Sequence, residues 1–258
     1  MVLLFGSNGM ADEPSNEKEL KAGKKAPALK RSTEGMSEEQ IEWERLLQEN
    51  LGSFYFPRYL ECKKKGRETA WDYVEDDPKL PRVLLIGDSI SRGYTVPVRH
   101  ALKGKVNVHR APENCGNTTR GLQKLDIWLW KGQWDVIHFN FGIHDQRSDP
   151  KEYGERLEKI VLKLKETKAT LIWASSTPLP DGAEKYRHGA CAKLNEVAEA
   201  IMKKHDVRIN DLYEYIKPDL AKYQRPNDCH FSGEGYQHLG KRVAEEIRRT
   251  LKSKKRRR

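Results

Sequence analysis

Val83-Leu84-Leu85-Ile86-Gly87-Asp88-Ser89-Ile90-Ser91-Arg92-Gly93 is the stretch on which the reading of this chain turns. An apolar run stops at Gly87, and Ser89 follows two residues later. On the plain reading a strand ends in a turn, and Asp88 and Ser89 cap the next helix. On the chemical reading the same turn presents Ser89 as a nucleophile.

Working outward, short apolar runs alternate with helical periods. Candidate strands are 82–86, 106–109, 135–141, 170–175 and 207–211. Between them, Tyr153, Leu157, Ile160, Val161 and Leu164 share one helix face. Leu194, Val197, Ala198 and Ile201 share another, and Tyr236, Leu239, Val243, Ile247 and Leu251 a third. Strand–helix alternation implies a parallel sheet, because each parallel return needs a crossover. The expected fold is α/β: a three-layer αβα sandwich with a flavodoxin-like parallel sheet of about five strands.

The bulk numbers fit one large domain or one and a half. The chain has 258 residues, 37% of them hydrophobic, which is enough apolar mass for a core. Residues 1–36 are polar and lysine-rich and are expected to be disordered. A capping box, Ser37 with Gln40, opens a helix with Ile41, Leu47 and Leu51 on its face and Gly52 as its stop. Residues 37–80, rich in aromatics, read as an arm packed on a main domain at 81–251. The net charge is +10, and six of those charges sit in the last seven residues. That run, 252–258, reads as a solvated basic tail. The body has no nucleic-acid motif, so a nucleic-acid partner is not expected. The N-terminal Val2-Leu3-Leu4-Phe5 is too short for a membrane span. Gly9-Met10-Ala11 resembles a cleavage site, so the compartment stays open between cytoplasm and export. Cys62, Cys115, Cys191 and Cys229 show no CxxC spacing, which argues against a zinc site and a disulfide scaffold. No metal and no cofactor is expected.

In such sheets ligands lie beyond the carboxyl ends of the strands. The residues there are Ser89 after the first strand and Cys115-Gly116-Asn117 after the second. His144 and Asp145 follow the third, and Asn227, Asp228 and His230 lie beyond the last. Each has a bland reading: helix cap, turn glycine, structural histidine, surface carboxylate. Together they are what a serine hydrolase needs: nucleophile, base, orienting group and oxyanion donors.

These residues resemble the SGNH, or GDSL-type, hydrolase superfamily over about 82–251. Gly87-Asp88-Ser89-Ile90 resembles its first block and Gly116-Asn117-Thr118-Thr119-Arg120-Gly121 its second. Gly142-Ile143-His144-Asp145 resembles its third, and Asp228-Cys229-His230-Phe231-Ser232 its last. The resemblance implies Ser89 as nucleophile, His230 as base, and the N–H of Gly116 and the side chain of His144 as oxyanion donors. Two departures stand out. His144 replaces the family's asparagine; a neutral imidazole still donates one N–H. Asn227 stands where the family places its aspartate. Asp228 through a shifted loop, Asn227 through its amide oxygen, or the backbone then orients His230, and Asp228 is favoured. The elbow motif G-x-S-x-G of the α/β-hydrolases is absent, because Ser91 stands at its fifth position.

The resemblance implies hydrolysis of small acyl esters, acetyl foremost, through an acyl-enzyme. Family precedent points to a carbohydrate or other small-molecule ester substrate; Trp128, Trp130 and Trp134 either serve a carbohydrate or are packing. The competing reading is a catalytically impaired carbohydrate-binding module of the same fold. Tyr186, Arg187 and His188 either shape a pocket or start a helix, with the second preferred. Cys115 and Cys229 read as two small thiols rather than a disulfide.

Overall fold

The computed structural model describes residues 34–256, so nearly all of the segment expected to be disordered lies outside the described residues. Two helices come first, α1 (Glu38–Asn50) and α2 (Gly52–Lys64). Ser37 caps α1 by accepting from Gln40 N. Trp43 and Leu47 form the buried face of α1, while Ile41, assigned to that face from sequence, is exposed. Gly52, at φ +67°, does end α1, but α2 starts on the same residue.

Five strands follow: β1 (Arg82–Ile86), β2 (Asn107–Arg110), β3 (Val136–Phe139), β4 (Thr170–Ala174) and β5 (Arg208–Asn210). They form one parallel sheet in the order β2-β1-β3-β4-β5. Val83 pairs with Val108 on one side and Val136 on the other. Six further helices are α3 (Ser89–Leu102), α4 (Thr118–Leu129), α5 (Pro150–Glu166), α6 (Ala190–Lys204), α7 (Leu212–Ile216) and α8 (Leu220–Tyr223). The last, α9 (Gly233–Arg256), carries on into the basic run that the sequence sets apart at 252.

Alternation along the strands sends side chains to two cores. Val83, Leu85, Ile172 and Ala174 pack with α3, α7 and α9, through residues such as Val98, Ile216 and Val243. Leu84, Ile86, Leu171 and Trp173 pack with α4, α5 and α6, through Leu125, Leu157 and Ala198. The result is the three-layer αβα sandwich. Strand order reverses between β1 and β3, and the loops after these strands carry the candidate residues.

Residues 65–81 run over the main domain. Arg99 of α3 donates to Thr69 O at 3.0 Å and Asp72 O at 3.3 Å. Trp43 Nε1 donates to Trp71 O at 2.8 Å. At the free edge of β2, Asp76 meets His109 Nε2 at 2.7 Å, and Asp77 N donates to Asn107 Oδ1 at 3.1 Å. Asn107 Nδ2 returns a bond to Asp77 O at 2.8 Å.

Candidate active site

Ser89 is the first residue of α3. Asp88 is its cap and accepts from Ile90 N at 2.9 Å. The unpaired amides of a helix start surround the hydroxyl there, and the helix dipole favours negative charge at that end. His230 lies after α8 and shortly before α9. Its Nε2 is 2.8 Å from Ser89 Oγ, and its Nδ1 is 2.8 Å from Asp228 Oδ1. With the proton placed on Nδ1 and donated to the carboxylate, Nε2 is left to accept from the serine hydroxyl.

Asp228 Oδ1 takes a second donor, Tyr186 Oη at 3.1 Å. The same Tyr186 oxygen accepts from Cys229 N at 3.0 Å. Burial pushes the Asp228 carboxyl up, but the His230 and Tyr186 contacts outweigh it and hold the group below its usual range. Asn227 adopts φ +54°, the left-handed region that asparagine tolerates better than most side chains. That residue bends the chain so that its neighbour, Asp228, faces the imidazole. Tyr186 therefore belongs to the site. Helix α6 begins only at Ala190, which corrects the preference for a helix start at 186–188.

The two other loops are braced together. Gly116 sits at φ +66°, where only glycine is unstrained, and Cys115 N donates to Gly87 O at 3.2 Å. Asn117 caps α4 by accepting from Arg120 N at 2.9 Å. His144 is half-buried in a single turn, Ile143–Asp145, after β3. Asp145 is buried and accepts from both the backbone and the hydroxyl of Thr118. Glu113, also buried, accepts from Trp128 Nε1 at 2.9 Å and pairs with Arg120.

Asp228, Cys229 and His230 have donor atoms within 4.8 Å of one another, the one such grouping among the described residues. The acid and the imidazole of that grouping form a hydrogen bond with each other. All four cysteines are free thiols, and burial pushes the Cys115 thiol up to about 12. Trp128 and Trp134 are buried in the core under α4 and form no sugar-binding surface. Trp130 packs on Trp43 with ring centroids 5.4 Å apart.

Solved structures of similar fold show the same class of architecture. The chain is similar to a lipase/acylhydrolase from Enterococcus faecalis, with 22% identity and a TM-score of 0.59 over 65% of this chain and 95% of that one. It is also similar to an acetylxylan esterase from Geobacillus stearothermophilus, with 15% identity and a TM-score of 0.56 over 65% of this chain and 94% of that one. A further acetyl xylan esterase matches at 12% identity and a TM-score of 0.56, over 64% of this chain and 99% of that one. No curated protein sequence matches the chain. The family model for the GDSL-like lipase/acylhydrolase family matches residues 85–238, more than half of the sequence, and the chain belongs to that family. It is a hydrolase acting on ester bonds. Among the described residues no helix is long and apolar enough to cross a membrane.

Proposed function

We propose that the chain is a serine esterase removing small acyl groups, acetyl foremost, through an acyl-enzyme on Ser89. The observation that carries this is the unbroken chain of contacts from Asp228 to His230 to Ser89, each 2.8 Å long. Ser89 Oγ attacks the ester carbonyl as His230 Nε2 takes its proton. The carbonyl π electrons move onto oxygen, and the N–H groups of Ser89 and Gly116 and the imidazole of His144 hold that charge. When the tetrahedral species collapses, the bond to the alcohol breaks and His230 returns the proton to it. Water, deprotonated by the same imidazole, then frees the acid and restores Ser89. Asp228 keeps the imidazole in the right tautomer and stabilises its cationic form.

The preference for acetyl on carbohydrate takes support from the two acetylxylan esterases of similar fold. The buried tryptophans lend it none. The test is turnover of p-nitrophenyl acetate together with labelling by a fluorophosphonate. Wild type is expected to do both and Ser89→Ala neither, with its fold intact by circular dichroism. Full activity in Ser89→Ala removes the assignment. A wild-type chain that neither turns over nor labels is a binding module. Comparing acetylated xylo-oligosaccharides with longer acyl esters then fixes the substrate class.

A further inference from the structure

Directly beneath the nucleophile turn lies a cation that the mechanism above does not use. Arg110, the last residue of β2, is 1% exposed. Its Nη2 donates to Gly87 O at 2.9 Å and to Asp88 O at 3.0 Å, and its Nη1 donates to Ser91 Oγ. Its Nε has no hydrogen-bond partner, and the carboxylate of Asp88 acts on the guanidinium through space without a hydrogen bond among the described residues. The ring of Trp71, from the N-terminal arm, covers the guanidinium at 5.8 Å. Burying a charge without a hydrogen-bonded counter-ion is expensive, and the native state keeps one here. The groups that meet it are the residues before and after Ser89.

The consequence follows from peptide geometry. In a trans peptide unit the C=O and the N–H point in opposite directions. The carbonyl of Asp88 shares its unit with the N–H of Ser89. That carbonyl is drawn inward by Arg110 Nη2, by Arg92 N at 3.0 Å and by Ser91 Oγ at 3.2 Å. The Ser89 N–H is thereby turned away from Arg110. Donors stacked on the oxygen also polarise the unit and strengthen its N–H as a donor. Gly87 O is shared between Arg110 and Cys115 N, so the same cation ties the nucleophile turn to the loop carrying Gly116.

We infer that Arg110 is a positioning residue for the reaction. Its buried guanidinium fixes the Gly87 and Asp88 carbonyls and so aims and strengthens the Ser89 N–H as an oxyanion donor. This rests on the reading of Ser89 as nucleophile. A group that acts only on the developing oxyanion changes kcat and leaves KM alone.

The test compares the full-length wild type, Arg110→Gln, Arg110→Lys and Ser91→Ala on p-nitrophenyl acetate, with Ser89→Ala as control. Arg110→Gln, neutral, is expected to lower kcat about 10²-fold, the scale of one lost oxyanion donor. Its KM should stay within about threefold. Arg110→Lys, which keeps the charge, should recover part of that loss. Ser91→Ala removes both the partner of Nη1 and the hydroxyl that donates to Asp88 O, and should lower kcat by about three- to tenfold at unchanged KM. Fluorophosphonate labelling should slow in the same order. Folded Gln or Lys variants with wild-type kcat overturn the inference, as does a loss carried by KM. Should neither arginine variant fold, an unchanged kcat in Ser91→Ala overturns it. An inactive, unlabelled wild type instead counts against the Ser89 reading itself.

Discussion

Asp145, in the turn after β3, and Thr118, the first residue of α4, are joined twice, through Thr118 N at 2.9 Å and Thr118 Oγ1 at 2.6 Å. The carboxylate of one candidate oxyanion loop thus caps the helix that leads out of the other. Arg156 adds a contact at 3.6 Å to the same carboxylate. Asp145→Ala is expected to cost about 2–4 kcal/mol, from a lost cap and a buried N–H left without a partner. Because Gly116 and His144 then lose their common brace, kcat should fall tenfold or more, by the order of a weakened oxyanion site. Urea melts and initial rates measure the two effects separately.

Asp145, buried, and Asp228, half-buried, should pull stability in opposite directions with pH. Burial raises Asp145 above the usual carboxylate range, against the pull of Thr118 and Arg156. The native state then holds that proton more tightly than the unfolded chain. Its contribution is full below the unfolded value and is lost as pH rises through the raised one. Asp228 is the reverse, held low by His230 against burial. Its contribution is full above the ordinary carboxylate value and is lost as pH falls through the depressed one. Melting curves from pH 2 to 7, a range of about five units spanning both transitions, should show acid loss blunted in Asp228→Asn. Asp145→Asn should remove the opposite slope. The same Asp228→Asn change should lower kcat by roughly 10³–10⁴, as an uncharged partner no longer fixes the tautomer.

At position 144 the informative pair is Asn and Ala. An imidazole that only donates is replaceable by an amide donor. His144→Asn should keep kcat within about tenfold, while His144→Ala loses about 10²–10³. A collapse in the asparagine variant assigns proton transfer to the imidazole.

Tyr186→Phe keeps the ring and deletes the hydroxyl that bridges Asp228 Oδ1 and Cys229 N. The loss is about 1 kcal/mol of stability and a three- to tenfold fall in kcat, the scale of one net hydrogen bond. Thermal melts and steady-state rates read it.

Gly93 lies in α3 against the ring of Tyr236 in α9. A Cβ there would stand 2.1 Å from Tyr236 Cε1. Gly93→Ala should cost about 1–3 kcal/mol by overpacking, despite alanine's better helix propensity. Since α3 carries Ser89 and α9 follows the His230 loop, activity at 25 °C should fall alongside the midpoint of a urea melt.

Much of this fold is visible in the order of residues. Apolar runs and helical periods locate all five strands, because a sheet covered on both faces leaves each strand with a continuous apolar signal. The ends slip by one or two residues. Asn107, not Val106, opens β2, because Asn107 is the partner of Arg82 in the ladder. Ile41 was misplaced because helical period alone does not say which face meets the domain. Ser89, Gly116, His144 and His230 were legible as candidates, since parallel topology sends every strand's end to one edge. Tyr186 was legible only as the less favoured of two alternatives, because its partner Asp228 lies 42 residues away in another loop. Arg110 left a faint trace, a charge at the end of an apolar strand, and what it binds is main-chain oxygen that no side-chain pattern announces. The tryptophans misled because aromatic content looks the same in a core as on a sugar-binding surface.

The strip of chain at 76–80 hydrogen-bonds along the outer margin of β2, the boundary strand of the sheet. The matched family domain begins only at residue 85. A cut at that boundary would remove residues 82–84 of β1 as well; a cut just before β1, at residue 82, leaves the five strands whole and strips the margin bare. Its unsatisfied amides would be left to pair with another copy, and the shortened enzyme would tend to associate and precipitate.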